Sequence, residues 1–239
     1  MSGIEVTGPK IMFEIPILGG ITITETVVWS WCIIGVVFLL CLVLTHKLEK
    51  VPVKKTQQIA EKLVITMDSL VESSMGKNHM GYVPYIMALF TMSLFGSLIS
   101  LLGLRPVTAD INTTMSWAIL TFLLIQFNGI KNKGIKGYLK GFVEPIPLLL
   151  PINIISEFST PLSMGFRHFG NIAAGTIITS LVYGALAGLS SMVFGGLQIP
   201  VFQAGLPAVL SLYFDLFTAG LQAFIFCMLT MVFIANNDS

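Results

Sequence analysis

The feature that most constrains this chain is the spacing of its charges. Five long stretches contain no Asp, Glu, Lys or Arg, and each is long enough, or nearly so, to cross the ~30 Å hydrocarbon core of a bilayer as a helix of roughly 20 residues. Only 10% of the 239 residues are charged and 54% are hydrophobic, against about 25% charged in an ordinary soluble domain. A water-soluble globular protein is excluded on that basis. The reading is an all-α polytopic membrane protein with about five membrane crossings and long C-terminal helices. No repeat or soluble domain is evident.

Charge placement then orients the chain. Of 13 Lys and Arg, all but Lys10 and Arg167 lie between Lys47 and Lys140. A net charge of +1 without a basic patch gives no reason to expect nucleic acid. The first span, residues 26–46, opens with Trp29 and Trp31 and exits at Lys47, as interface anchoring requires. Lys47, Lys50, Lys54, Lys55 and Lys62 follow it, so the positive-inside rule puts the N-terminus outside and this loop in the cytoplasm. Residues 1–25 form an external segment. No short basic region leads into a cleavable leader, so insertion is expected from the first span.

Within residues 26–141 three spans are expected. After the first, Ile59, Leu63, Met67, Leu70 and Val71 recur at helical spacing, giving an amphipathic helix for the membrane surface or a soluble partner. The second span covers residues 82–104, with Pro84 in its first turn and Gly103 near its end. The third covers residues 111–130, with Asp110 and Asn112 placed to accept from unpaired helix amides. Lys131, Lys133, Lys136 and Lys140 return the chain to the cytoplasm. Cys32, Cys41 and Cys227 lack metal-ligand spacing and read as small buried hydrophobes.

Residues 142–239 carry the unusual chemistry. Glu144, Pro145, Pro147 and Pro151 interrupt helix formation. Residues 152–194 then run 43 positions, about 65 Å at 1.5 Å per residue, too long for an upright crossing. That helix must be tilted, bent or divided. Gly195, Gly196 and Pro200 mark a turn, and residues 206–234 supply the last helix, ending in the cytoplasm.

Arg167 stands alone in this region. An arginine at membrane depth costs about 2.5–3.5 kcal/mol on insertion scales, so it demands either an internal partner, Glu157 or Asp215, or a function. Helical steps from it reach Asn153, Ser156, Thr160 and Ser163 on one side and Asn171 on the other, a polar stripe with Glu157 beside it. Gly165, Gly170, Ala173, Ala174, Gly175, Gly184, Ala185, Ala187 and Gly188 follow. Small residues admit a close helix, either permanently packed or sliding. Asp215 and Gln222, seven residues apart, share nearly one face of the last helix. The arrangement suggests two offset aqueous routes separated by a fixed positive charge, since arginine does not readily surrender its proton. The moving carboxylate would belong to another subunit.

At these residues the chain resembles subunit a, the membrane ion-channel stator subunit of F-type ATP synthases. The resemblance rests on Pro161-Leu-Ser-Met-Gly-Phe-Arg167-His-Phe-Gly-Asn171, on Leu221-Gln222-Ala-Phe-Ile-Phe, on Pro106-Val-Thr-Ala-Asp110-Ile-Asn112 and on Gly141-Phe-Val-Glu144-Pro-Ile-Pro-Leu-Leu-Leu-Pro151, covering most of residues 80–235. It implies a non-catalytic, ion-translocating subunit without a cofactor, in a bacterial inner membrane, beside a ring of c subunits and in contact with peripheral-stalk b subunits. The F1 catalytic head would join it through the assembled complex. Arg167 would face the ring's carboxylates, with Asn171, Thr176, Asp215, Gln222 and His168 along the ion route and Asn153, Ser156, Glu157, Thr160 and Ser163 as cytoplasmic half-channel candidates.

The match departs in three places. Thr176 stands where the family often has an acid, Asp215 occupies a titratable position seven before Gln222, and His168 replaces a common leucine. The coupling ion stays open between proton, the favoured reading, and sodium. An ion-coupled secondary transporter and a membrane assembly scaffold are the competing functions, though no internal repeat supports the former.

Overall fold

The computed structural model describes residues 8–16, 21–46, 48–50, 54–144, 146–193 and 212–236. An antiparallel hairpin opens it, β1 (Ile11–Ile15) paired with β2 (Ile21–Thr24). Six α-helices follow among the described residues: α1 (Glu25–Leu44), α2 (Lys55–Met75), α3 (Val83–Leu98), α4 (Ile111–Val143), α5 (Leu150–Val193) and α6 (Thr218–Asn236). Among the described residues five helical segments are long and apolar enough to cross a membrane, those containing every helix except α2. The expected all-α membrane bundle is therefore present, preceded by a hairpin that the sequence did not announce.

The core forms where α2, α3, α4, α5 and α6 meet. Val71, Met75, Ile86, Leu89, Ala118, Ile125, Met164, Phe226, Met231 and Ile234 are buried together there. α1 stands at the edge, with only Thr26 and Ile33 buried and a broad face of Val36, Phe38, Leu39 and Val43 left open to lipid. Cys32 and Cys41 lie on that open helix, so they are not buried as expected, whereas Cys227 is buried with Sγ 3.8 Å from the Ile86 carbonyl. Thr26 anchors α1 from inside: its hydroxyl donates to Asp110 Oδ2 at 2.7 Å. The other carboxylate oxygen of Asp110 accepts from the Asn112 amide at 3.0 Å, so one buried side chain caps α4 and ties down α1.

α2 divides the amphipathic stripe read from the sequence. Val71 and Met75 sink into the core, and Ser74 approaches Met228 of α6. Ile59 and Leu63, nearer its start, stay exposed.

α3 begins as expected, with Pro84 in the first turn, where a missing amide costs nothing. A 3-10 turn, Ile99–Leu102, closes it onto Gly103, whose φ of 72° is the left-handed conformation glycine adopts without penalty. α4 differs from expectation. The helix does not stop at residue 130 but carries Lys131, Lys133, Lys136 and Lys140 to Val143, broken only at Gly134 with φ 68° and ψ 162°. Lysine is a good helix former, so the lysines mark where the helix leaves the membrane rather than where it ends.

The proline-rich break falls at Glu144–Ile146, of which residue 145 lies outside the described residues, and a 3-10 turn Pro147–Leu149 leads into α5. Pro151 sits in the first turn of α5 and Pro161 inside it. α5 is a single 44-residue helix, so of the three ways to fit its length, division is not the one used. The turn expected at Gly195, Gly196 and Pro200 and the start of the last span lie outside the described residues. The last span resumes as a π-helical turn, Leu212–Phe217, that runs into α6.

Candidate functional site

Arg167 projects from α5 onto an exposed face. Among the described residues it makes no hydrogen bond and no ion pair. The internal pairing that would have made it a structural staple is not formed: Glu157 instead accepts from Gln126 Nε2 at 2.6 Å, and Asp215 lies beside the Ser100 hydroxyl. An exposed guanidinium without a partner among the described residues is an outward-directed charge.

The polar stripe splits around it. Ser156, Ser163 and Asn171 share the exposed side with Arg167, whereas Asn153 and Thr160 are half-buried. Asn153 Nδ2 donates to the carbonyls of Phe142 at 2.9 Å and Glu144 at 3.3 Å, fastening the start of α5 to the end of α4. Thr160 Oγ1 donates to the Ser156 carbonyl at 3.0 Å. Small residues split the same way. A Cβ on Gly165 would stand 2.7 Å from Met115 Sδ, and one on Gly175 would stand 3.2 Å from the Phe214 ring, so both serve fixed packing. Gly170 and Gly188 would meet nothing within 4 Å. These two belong to an open face that a neighbour can approach closely.

His168, next to the arginine, points inward and is 1% exposed. Its Nε2 lies 3.3 Å from Ser93 Oγ, and its ring packs edge-on to Trp117 and Phe226. The Gln222 backbone lies close to the ring, although Nδ1 has no hydrogen-bond partner. Gln222 itself is buried at 6% exposure. His168 and Gln222 thus stand behind the arginine rather than on its face.

Asp215 lies on the π-turn, not on a regular helix. A π-turn takes more residues per revolution than an α-helix, so Asp215 is turned somewhat away from the position that a regular helix would give it relative to Gln222 on α6, and no hydrogen bond joins the two. Asp215 meets Thr176 instead. Both line a cavity of about 10 Å³ with Ser97, Ser100 and Phe214, near the minimum that holds one water molecule. Thr176 Oγ1 donates to the Ala173 carbonyl at 2.8 Å, which leaves its lone pairs to accept.

A second polar region lies where α4 and α5 converge at the lysine-bearing end. Glu157 and Thr160 border a cavity of about 190 Å³ with Phe122, Ile125, Phe233 and Asn236. Glu157, Asn153 and Ser156 border another of about 350 Å³ with Lys133 and Tyr138. Sequence reasoning missed Gln126 and Tyr138 here, Ser97 and Ser100 near Asp215, and Ser93 beside His168. The serines carried a readable signal, since they recur at steps of four and three within an apolar span. Gln126 carried none, lying singly among apolar residues.

Comparison with known proteins agrees with the motifs. The family described as ATP synthase A chain matches residues 27–235. A subunit named "ATP synthase subunit a, sodium ion specific" from Propionigenium modestum is 33% identical, over 97% of this chain and 86% of its own length. ATP synthase subunit a of Moorella thermoacetica is 32% identical over 93% of this chain and 94% of its own. That of Bacillus subtilis is 33% identical, with 92% and 94% covered.

Proposed function

This chain belongs to the ATP synthase A chain family and is therefore a non-catalytic, multi-pass membrane subunit with a stator and ion-channel role, and from that premise we propose that Arg167 is the fixed charge separating two ion half-channels. The secondary-transporter and scaffold readings fall with the family assignment. The carrying observation is that Arg167 is exposed and has no partner among the described residues of its own chain. A charge so costly at membrane depth requires a counterpart, and the open small-residue face beside it admits a neighbouring helix. That neighbour is a ring of c subunits whose carboxylates pass the arginine in turn.

Ions enter from the outside past Asp215 and Thr176, supported by Asn171 and Gln222, and bind a ring carboxylate. They leave through the cytoplasmic half-channel at the other end of α5, bordered by Asn153, Ser156, Glu157, Thr160 and Ser163. His168 holds the arginine-bearing turn of α5 against α3 and α6. In this reading that end of the bundle faces the cytoplasm of a bacterial cell, with the N-terminus external and the C-terminus cytoplasmic, an orientation that the positive-inside rule supports through the lysine-rich segments. Peripheral-stalk b subunits hold this chain still against the ring and connect it to the F1 head.

The coupling ion in this reading is the proton. Sodium is the second reading, favoured by the sodium-specific relative and by an uncharged Thr176 beside Asp215. Reconstituted complex pumping during ATP hydrolysis without sodium supports the proton; pumping that stops and returns on sodium addition assigns sodium. Arg167→Ala tests the central role: the complex assembles, and coupled transport is lost.

A further inference from the structure

Gln126 and Tyr138 are twelve residues apart on α4, about 18 Å along the axis of an unbroken helix. Their side chains nevertheless meet. Gly134 makes this possible: its φ of 68° and ψ of 162° break the helix between them, in a backbone region essentially confined to glycine. Past the break the chain turns Tyr138 back, and its hydroxyl donates to Gln126 Oε1.

That contact fixes which way the amide faces. A carboxamide has an acceptor on one corner and two donors on the other, so a hydroxyl donating to Oε1 leaves Nε2 directed away from the tyrosine. Nε2 donates to Glu157 Oε1 across the α4–α5 junction at 2.6 Å, the short length of a charge-assisted bond. The tyrosine and the carboxylate thus favour the same orientation of the amide, and without the tyrosine the carboxylate alone selects it.

Among the described residues, Glu157 is the one that borders both cavities at this end, the first reaching Thr160 and Asn236 and the second reaching Lys133 and Ser156. The neighbouring acid of the second cavity, Glu144, is engaged by Lys140 at 3.2 Å. We infer that Gln126 and Tyr138, brought together by the Gly134 break, are positioning residues that hold the Glu157 carboxylate in the wall between the two cavities, where ions pass from the interior of the cytoplasmic half-channel to its mouth. The inference rests on the reading of this end as that half-channel. It adds α4 to the machinery of ion exit, otherwise carried by α5.

The test uses the assembled complex in vesicles and compares ATP-driven ion uptake for E157Q, Q126E and the exchanged pair Q126E/E157Q. Q126E sets carboxylate against carboxylate and slows uptake by about tenfold, within the coupling range of contacting polar groups. The exchanged pair restores one amide and one carboxylate at the same place, with the Tyr138 hydroxyl still able to donate, and recovers most of the loss. A merely structural Gln126 gives no such recovery. An exchanged pair as slow as Q126E, with E157Q also slow, overturns the positioning role and leaves the half-channel reading intact. E157Q at the parental rate removes Glu157 from the ion path and overturns both. Where Q126E blocks assembly, Y138F carries the test: it slows uptake with Glu157 present and loses its effect in the E157Q background, and equal effects in both backgrounds contradict the inference.

Discussion

Thr176 on α5 and Asp215 on the π-turn before α6 line one cavity of about 10 Å³, room for a single bridging water. Threonine does not titrate near neutral pH, so any proton exchange at this point falls to Asp215 alone. Asp215→Asn is expected to slow ion entry by about 100-fold, the lower end of what a positioned acid or base contributes. Thr176→Val, which keeps the shape and removes only the polar oxygen, should slow it far less. ATP-driven uptake and passive ion conduction through the membrane sector measure both; parental rates for Asp215→Asn reject its role.

Gly165 and Gly170, five residues apart on α5, separate packing from approach. A methyl group on Gly165 lands 2.7 Å from Met115 Sδ and 3.4 Å from Ala118 Cβ, so Gly165→Ala is expected to lower stability by about 1–3 kcal/mol through overpacking. Gly170→Ala meets nothing in its own chain and should leave the isolated subunit unchanged while impairing coupled transport in the complex. Thermal denaturation of the purified subunit and transport by the complex distinguish the two. Equal stability losses would contradict this division of the helix.

Asp110 accepts from both Thr26 and the Asn112 amide while 6% exposed. Thr26→Val removes one hydrogen bond to a buried carboxylate, and a loss of about 1.5–3 kcal/mol is expected. α1 makes few buried contacts otherwise, so protease cleavage between α1 and α2 should accelerate in this variant. An unchanged cleavage rate would show that α1 is held by its apolar packing alone.

His168→Leu tests whether the residue beside the arginine serves packing or transport. Its ring is enclosed by Ser93, Trp117 and Phe226, and leucine fills a similar volume while leaving Ser93 without that partner. The expected cost is about 1 kcal/mol of stability, with coupled transport retained. Loss of coupling in a stable variant would put the imidazole on the ion route.

Much of this architecture was legible in the sequence because lipid leaves few options. Charge-free runs longer than a bilayer, Pro84 at a helix start, Gly103 at a helix end and Asp110 before α4 each act through local chemistry, and each stands where that chemistry puts it. The continuation of α4 past Lys131 was hidden because charge reports contact with water, not the end of a helix. The hairpin was hidden by its short strands and a register irregularity between Ile11 and Phe13. No local signal marks the π-turn at Asp215, whose geometry depends on the chain packed around it. At the site, the Arg167 motif was readable and so was the polar stripe, of which Ser156, Ser163 and Asn171 share the arginine's exposed side. The contact between Gln126 and Glu157 spans 31 residues and depends on how α4 and α5 come together, which single-helix periodicity does not record.

The claim on which the rest depends is that the Arg167 guanidinium is free of its own chain and meets an acid borne by a moving neighbour. A structure of the whole membrane complex measures this directly through the distances from the guanidinium to surrounding carboxylates. The account predicts Arg167 directed at the c ring, its nearest acid a ring carboxylate met directly or through one water, with Glu157 and Asp215 both more distant. An arginine turned into lipid, or paired with Glu157 or Asp215 and separated from the ring, would contradict it.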